Sequence, residues 1–288
     1  MNNETLPLVS VLMTAYNREP FIAEAIESVL ASTYQPIELI IVDDHSTDRT
    51  VAIAKEYEAR HSFIKVYVNE NNLGQFPNRN KAIGYASGTF LVHVDSDDMV
   101  YPDGIEKLVQ VMQAHPESAF GMYTTLYNEV TVLPPEVSIK NHFFKKAFLM
   151  HGPGGTILRR DFFNSIGGYP IEYGIPGDVY FNLKACCYTS VTLIPFKFMH
   201  YRLHEGQELN NSYNYLYNNY LYMHDALEKL PLGITDAEKK WLSKKMKRRF
   251  VVNISKYFLK TFDLKKTRNA IWLSRFSFSD AMTGIFQR

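Results

Sequence analysis

The chain has 288 residues, 46% of them hydrophobic and 14% aromatic, enough for one large or two small folded domains and too apolar for global disorder. Its formal charge of +1 hides an uneven spread: residues 239–288 hold 14 Lys and Arg against two acids (+12), and residues 1–238 hold 17 against 28 (−11). The acidic body argues against a nucleic-acid-binding protein, and the absence of any eighteen-residue apolar run argues against a membrane-spanning helix.

Taken in chain order, Leu8 to Thr14 is an apolar run rich in β-formers and reads as a first strand. Phe21 to Leu30 then places Phe21, Ile22, Ala25, Ile26, Val29 and Leu30 on one helical face, with Pro20 at the first turn. Strands are predicted at Ile37–Val42, Phe63–Val68, Phe90–Val94 and Ala119–Thr124, alternating with helices at Thr47–Arg60, Phe76–Ala86 and Pro102–His115. Such alternation predicts an α/β fold with right-handed crossovers and a mostly parallel sheet, covered on both faces because its strands are almost continuously apolar. Beyond Thr125 the pattern loosens: glycine-rich turns surround a short strand in GPGGTILRRDFFNSIGGYP, Asp178–Ala185 is helical, and Val191–Leu203 is extended. From Asn210 the pattern is helical, broken by Pro-Leu-Gly at 231–233, and Asn211 to Tyr222 forms an amphipathic helix.

In parallel sheets of this kind ligands bind beyond the carboxyl ends of the strands. Here the first four strands are followed by TAYNREP, DDHSTD, NENNLGQFPNRN and DSDD, so polar and acidic residues gather at one edge. The DSDD segment places Asp95, Asp97 and Asp98 within four positions, with Asp95-Ser96-Asp97 in the D-x-D form. Three close carboxylates repel one another. Either they face solvent as a turn, or they hold a divalent cation on hard oxygen ligands.

The stretches VSVLMTAYNRE, IELIIVDDHSTDRT and NLGQFPNRNKAIGYASGTFLVHVDSDD resemble the nucleotide-sugar-binding half of family 2 glycosyltransferases with the GT-A fold, over about residues 8–125. A weaker likeness runs on through GGTILRR, IGGYP, IPGDVYFNLK and YRLH to about residue 205. The resemblance implies a GT-A domain over 1–205, with an acceptor-binding half at about 126–205, followed by a basic helical region over 206–288. It implies a base pocket at Thr14, Ala15 and Tyr16, with Asp44, the second acid after strand two, accepting from the base N3–H of a uridine nucleotide. It further implies Arg79, Asp95, Ser96 and Asp97 at the nucleotide, and Mn2+ or Mg2+ held by Asp98, Asp97 and His204, with Arg202 a phosphate contact. HGPGG (151–155) falls near donor sugar or acceptor. Asp178 takes the place of the catalytic base of an inverting transfer, the general base that accepts the acceptor hydroxyl's proton. The usual acid before it is replaced by Gly177, and Glu172 is the nearest other carboxylate upstream.

Each of these residues also has an ordinary reading. Asp43, Asp44 and Asp178 are types that cap helices, Tyr16 packs half-buried, and a lone Arg79 or His204 is commonly just a surface or core residue. The donor implied is a nucleotide sugar, and the acceptor a polysaccharide or a lipid-linked saccharide. A sugar nucleotidyltransferase is the alternative enzyme, but TAYNREP lacks that class's glycine-rich loop and equally lacks a dinucleotide-binding GxGxxG. A catalytically weak scaffolding subunit is the non-enzyme alternative, hinted at by Gly177 alone.

Cys186 and Cys187 are adjacent, a poor disulfide geometry, so a reducing compartment is expected. The N-terminal MNNETLPLVSV lacks a signal-peptide pattern, and a cytoplasmic protein is expected, peripheral at the inner membrane face if its tail docks there. In that tail Trp241, Met246, Phe250, Ile254 and Phe258 recur at helical spacing among Lys and Arg. Such a helix either packs on the domain with its lysines in water or docks on an anionic membrane.

Overall fold

The computed structural model describes residues 6–204 and 212–286. Strand and helix alternate through β1 (Val9–Ala15), α1 (Ile22–Leu30), β2 (Ile37–Asp43), α2 (Thr50–Arg60), β3 (Ile64–Val68), α3 (Gln75–Gly84) and β4 (Phe90–His93). Then follow β5 (Met99–Val100), α4 (Gly104–Ala114), β6 (Ser118–Tyr123), β7 (Thr131–Leu133), α5 (Pro135–Phe144), β8 (Thr156–Arg159), α6 (Arg160–Ser165), α7 (Gly177–Tyr188), β9 (Ser190–Ile194) and β10 (Met199–His200). The remainder is helical: α8 (Ser212–Lys229), α9 (Asp236–Thr261), α10 (Leu264–Leu273) and α11 (Phe278–Phe286). Asn210 and Asn211, where that helical run is expected to begin, lie outside the described residues.

The sheet order is β3-β2-β1-β4-β8-β6-β9-β7. Pairing is parallel across β3, β2, β1 and β4 and between β6 and β9, and antiparallel where β8 meets β4 and β6 and where β7 meets β9. Six strands therefore point one way, and the loops that leave them emerge at one edge. The reversal of β8 has a second consequence: the segment that precedes it, His151 to Gly155, lies at that same edge.

Side chains of β1 alternate between two cores. Val9, Val11 and Met13 pack with Ile22, Ile26 and Leu108 on one face. Leu12 joins Ile40, Leu91, Phe163 and Phe181 on the other, and that core runs on into Leu221, Ala226, Leu242, Met246 and Phe250 of α8 and α9. The basic C-terminal helices thus share the second layer's apolar interior, and Met246, Phe250 and Ile254 are buried. Trp241 is not: it stands 48% exposed, against the Phe144 ring of α5.

The expected elements appear, with shifted ends. Pro20 sits in the turn ahead of α1 rather than inside it. Helix α2 starts at Thr50 because Asp48 Oδ1 accepts from the Thr50 N–H at 2.9 Å and terminates the preceding loop. The extended stretch Val191–Leu203 divides into β9 and β10. Helix α5 and strand β7 were not legible: α5 is short, with Val, Ser, Ile, Asn and two Phe that carry no helical preference.

Candidate active site

The loop after β4 is pinned from both sides. Asp98 N donates to Asp95 O at 2.9 Å, and Ser96 Oγ donates to Thr14 O at 2.8 Å, tying DSDD to the end of β1. The two-residue strands β5 and β10 pair antiparallel, with Met199 opposite Val100. That pairing carries the chain back across DSDD, so Arg202 N donates to Asp98 Oδ1 at 2.9 Å and His204 Nε2 lies 3.0 Å from Asp97 Oδ2. The guanidinium of Arg18, from the loop after β1, donates through Nε to the same Asp97 oxygen at 2.9 Å. Asp98 is 2% exposed, and burial, with the charges of Asp95 and Asp97 beside it, pushes its carboxyl up to about 7.

Behind Asp95 lies a buried cation. Arg79, on α3, places Nη2 2.7 Å from Asp95 Oδ1. Its Nη1 faces His93 Nδ1 at 3.4 Å, so that nitrogen accepts and Nε2 carries the proton toward Tyr169 Oη at 3.3 Å. Burial and the Arg79 charge hold His93 well below its usual range, consistent with a neutral ring. Among the described residues Arg79 Nε has no hydrogen-bond partner.

Asp178 stands in the first turn of α7, whose N-cap position is Pro176 with no side-chain cap bond. It is therefore not the capping residue; its Oδ1 accepts from the adjacent Val179 N–H at 2.6 Å. Burial pushes the Asp178 carboxyl up to about 7, against the opposing pull of Arg79. The HGPGG segment bridges the two acids: a Cβ built on Gly152 would lie 3.6 Å from Asp178 Oδ2, and one on Gly154 3.9 Å from Asp95 Oδ2. One turn along α7, Asn182 Nδ2 donates to the carbonyls of Leu149 and His151, at 3.2 and 2.9 Å, and fixes that segment. Gly177 has a packing reason: a Cβ there would sit 2.8 Å from the Phe76 ring and 3.2 Å from Pro170 O. Glu172 is exposed.

The other expected residues take these places. Asp43 and Asp44 are not caps of α2. Asp43 accepts from Ser46 N at 2.7 Å and from Ser46 Oγ at 2.5 Å. Asp44, 4% exposed, accepts from Asn69 Nδ2, Leu73 N and Gly74 N, each at 2.8 Å, and so holds the loop after β3 against the end of β2. Ala15 O accepts from Asp44 N at 2.8 Å, and Tyr16 is 45% exposed at the rim. Arg202 also reaches Glu24 at 2.6 Å and lies over the Phe21 ring, which His204 flanks at 4.7 Å. Sequence reasoning did not single out Arg18, His93 or Tyr169. Arg18 lies inside TAYNREP, and a histidine closing an apolar strand just before DSDD was the available signal for His93.

The family model for glycosyl transferase family 2 matches residues 10–167, more than half of the chain and all of the segments just described up to α6. The chain belongs to glycosyl transferase family 2. Among relatives, a putative glycosyltransferase, EpsE, of Bacillus subtilis is 41% identical over 110 residues, which are 38% of this chain and 40% of that protein. The putative glycosyltransferase EpsH of the same organism is 28% identical over 215 residues, 69% of this chain and 61% of that one. The match to EpsE thus covers about two fifths of its length. Two solved structures share the GT-A fold: S. aureus TarS 1-349 in complex with UDP-GlcNAc, with a TM-score of 0.71, 24% identity, 91% of this chain and 79% of that one covered; and mannosyltransferase PcManGT of Pyrobaculum calidifontis in complex with GDP-Man and Mn2+, with a TM-score of 0.65, 16% identity, 98% of this chain and 88% of that one covered.

Among the described residues no three His, Cys, Asp or Glu side chains already converge as a metal cage. The donor set nevertheless fits a family 2 divalent cation. Asp98 is a buried carboxyl beside two other acids, an arrangement a cation relieves, and Asp97 and His204 are in contact next to it.

Proposed function

We propose that this chain is an inverting glycosyltransferase that moves a sugar from a UDP-sugar to a polysaccharide or lipid-linked saccharide acceptor, with Mn2+ or Mg2+. The observation that carries the reading is Asp178. A carboxyl with its affinity for a proton raised to about 7, facing HGPGG at the edge where the nucleotide motifs gather, is matched to accepting a proton near neutrality. As the acceptor oxygen bonds to the anomeric carbon and the bond to the diphosphate breaks, Asp178 takes the hydroxyl proton. Arg79, held by Asp95 and His93, supplies fixed positive charge beneath the crevice. Thr14, Ala15, Tyr16 and Asp44 line the base, and Ser96 and Asp97 the ribose. The cation, held by Asp97, Asp98 and His204, would neutralise the leaving diphosphate. A cavity of about 370 Å3 lined by Thr125, Tyr127, Asn141, Lys145, Lys146 and Phe148 opens beyond β6 at the same edge, and we assign it to the acceptor. UDP-GlcNAc bound to TarS supports a uridine donor, and Mn2+ with PcManGT supports the cation. The scaffold alternative rested on Gly177, whose packing against Phe76 supplies a structural reason instead.

A donor screen tests the reading. Melting temperature is expected to rise with UDP-sugars plus Mn2+ and to stay flat with GDP-sugars. A larger rise with GDP-sugars would move the donor assignment, and no rise with any nucleotide sugar would remove it.

The segment ahead of Asp178 is moored to α8. Tyr173 Oη donates to buried Asp225 at 2.9 Å, Lys229 pairs with the same carboxylate at 2.7 Å, and Gly174, at φ +56°, packs against Asn218. Tyr173→Phe keeps the ring on Tyr180 and removes only the hydroxyl, with its bonds to Asp225 and Tyr180. It is expected to cost about 1 kcal/mol of stability. Loosening the base should also lower kcat roughly ten-fold with UDP affinity unchanged. Turnover and calorimetry check this; an unchanged kcat would show that α8 does not position Asp178.

A further inference from the structure

Helix α9 has two apolar stripes, and only one is used in folding. Leu242, Met246, Phe250 and Ile254, four residues apart, face the core. On another side, at spacings of four and three, stand Val252, Lys256 and Leu259, the last 65% exposed. Trp241, at the start of the helix, packs instead against the Phe144 ring of α5 at 5.7 Å. Helix α10 repeats the arrangement: Thr267 and Ala270 are buried, while Leu264, Arg268 and Trp272 line its outer side four residues apart. Leu264 and Trp272 are 69% and 74% exposed, and Phe262, at the left-handed turn joining the two helices, is 74% exposed. Single exposed apolar residues are ordinary; a sustained outward series of large ones marks a surface built to be covered.

The charge around the series decides what covers it. From residue 239 to 262 there are nine Lys and Arg and no acid. Lys239 and Lys247 pair with Glu228 and Asp280. Among the described residues no ion pair engages Arg249, Lys256, Lys260, Lys265 or Arg268. We infer that the outer face of α9 and α10 docks on an anionic phospholipid bilayer, apolar side chains entering the interface and the free cations meeting lipid phosphates. A second copy of the chain would bring the same uncompensated positive charge against itself. A nucleic acid would satisfy the cations but leave Leu259, Leu264 and Trp272 in water. No helix among the described residues is long and apolar enough to cross a membrane, so the contact is one of lying on the surface. Met246, Phe250 and Ile254 of the expected basic helix are buried, which is the packed-helix reading of that stripe, and the docking surface is a separate one.

Trp272 lies on this face, 74% exposed, which gives a direct readout. Mixed phosphatidylcholine–phosphatidylglycerol vesicles are expected to shift tryptophan emission to the blue and to carry the protein upward in flotation. Pure phosphatidylcholine vesicles are expected to do neither, and added salt to weaken the binding. Arg268→Ala should weaken partitioning about five-fold, the loss of one interfacial charge. Leu264→Ser with Trp272→Ser should abolish flotation while circular dichroism and nucleotide affinity stay as in the parent. Equal binding to both vesicle types, or none, overturns the inference. So does a dimer in light scattering that the double variant converts to a monomer, or binding to an oligonucleotide but not to vesicles. The inference suits a lipid-linked acceptor but does not rest on it: the vesicle assay contains no nucleotide sugar, so its failure and that of the donor screen are separate results.

Discussion

Asp178→Asn is expected to lower kcat by ~10²–10⁴-fold, the usual contribution of a general base, with UDP affinity unchanged. The replacement keeps the shape and an oxygen that accepts from Val179 N–H, so the first turn of α7 survives. The wild-type pH dependence follows from the same carboxyl. At about 7 it is protonated in acid and cannot accept a proton, so kcat should fall as pH drops below about 7 and level off above it. Stability moves the other way. The folded carboxyl titrates above its ordinary value of 3.8, so its contribution is fully present below about pH 4 and is lost as pH rises through about 7. The neutral Asn escapes that loss. Above pH 7 the variant is expected to be more stable than wild type, on the order of 2 kcal/mol after allowance for solvent reaching a partly open side chain. An inactive variant that is also more stable at pH 8 has lost a functional charge. Wild-type turnover in Asp178→Asn would instead move the base elsewhere, Glu172 being the nearest carboxylate upstream.

What the chain announces about itself follows from the range of the interactions. Strands β1 to β4 were legible because they are buried on both faces and so are continuously apolar. The loops that follow them were legible as a site because a parallel arrangement sends all of them to one edge. Asp95, Asp97, Asp98 and Asp178 could be named from local motifs. Arg79, Arg202 and His204 could be named as well, but not their direct pairing with Asp95, Asp98 and Asp97. Arg202 and His204 reach Asp98 and Asp97 through strands of two residues each, too short to leave a period in the sequence. Arg79 reaches His93 across fourteen positions, and His93 reaches Tyr169 across seventy-six, through the packing of α3 and the IGGYP turn against β4. Gly177 shows the same limit from the other side: it looked like a missing acid until the Phe76 ring was seen to fill the space. In α9 the apolar period was visible, but which stripe faces the core depends on α8, and no local pattern records that.

Asp98 is the second position where a large effect is expected. Its carboxyl is buried among like charges, and the Arg202 N–H donates to it at 2.9 Å. With a divalent cation as counter-charge to these acids, Asp98→Asn removes a ligand while keeping an oxygen for Arg202. Loss of the cation's charge stabilisation is worth several kcal/mol at the transition state, so kcat/KM should fall by ~10²–10³-fold. The sharper measurement needs no turnover. Wild-type protein should melt higher with Mn2+ plus UDP than with UDP plus chelator, because a diphosphate facing Asp95, Asp97 and Asp98 is repelled without an intervening cation. In Asp98→Asn that difference should shrink, and UDP affinity by calorimetry should become nearly indifferent to Mn2+. A purely architectural Asp98, holding the β10 segment through Arg202, gives a different pattern: UDP affinity equally responsive to Mn2+ in both proteins, and activity close to wild type in the Asn variant because the hydrogen bond is retained. That outcome would leave Asp97 and His204 without their central partner and would overturn the assignment of the cation to this loop.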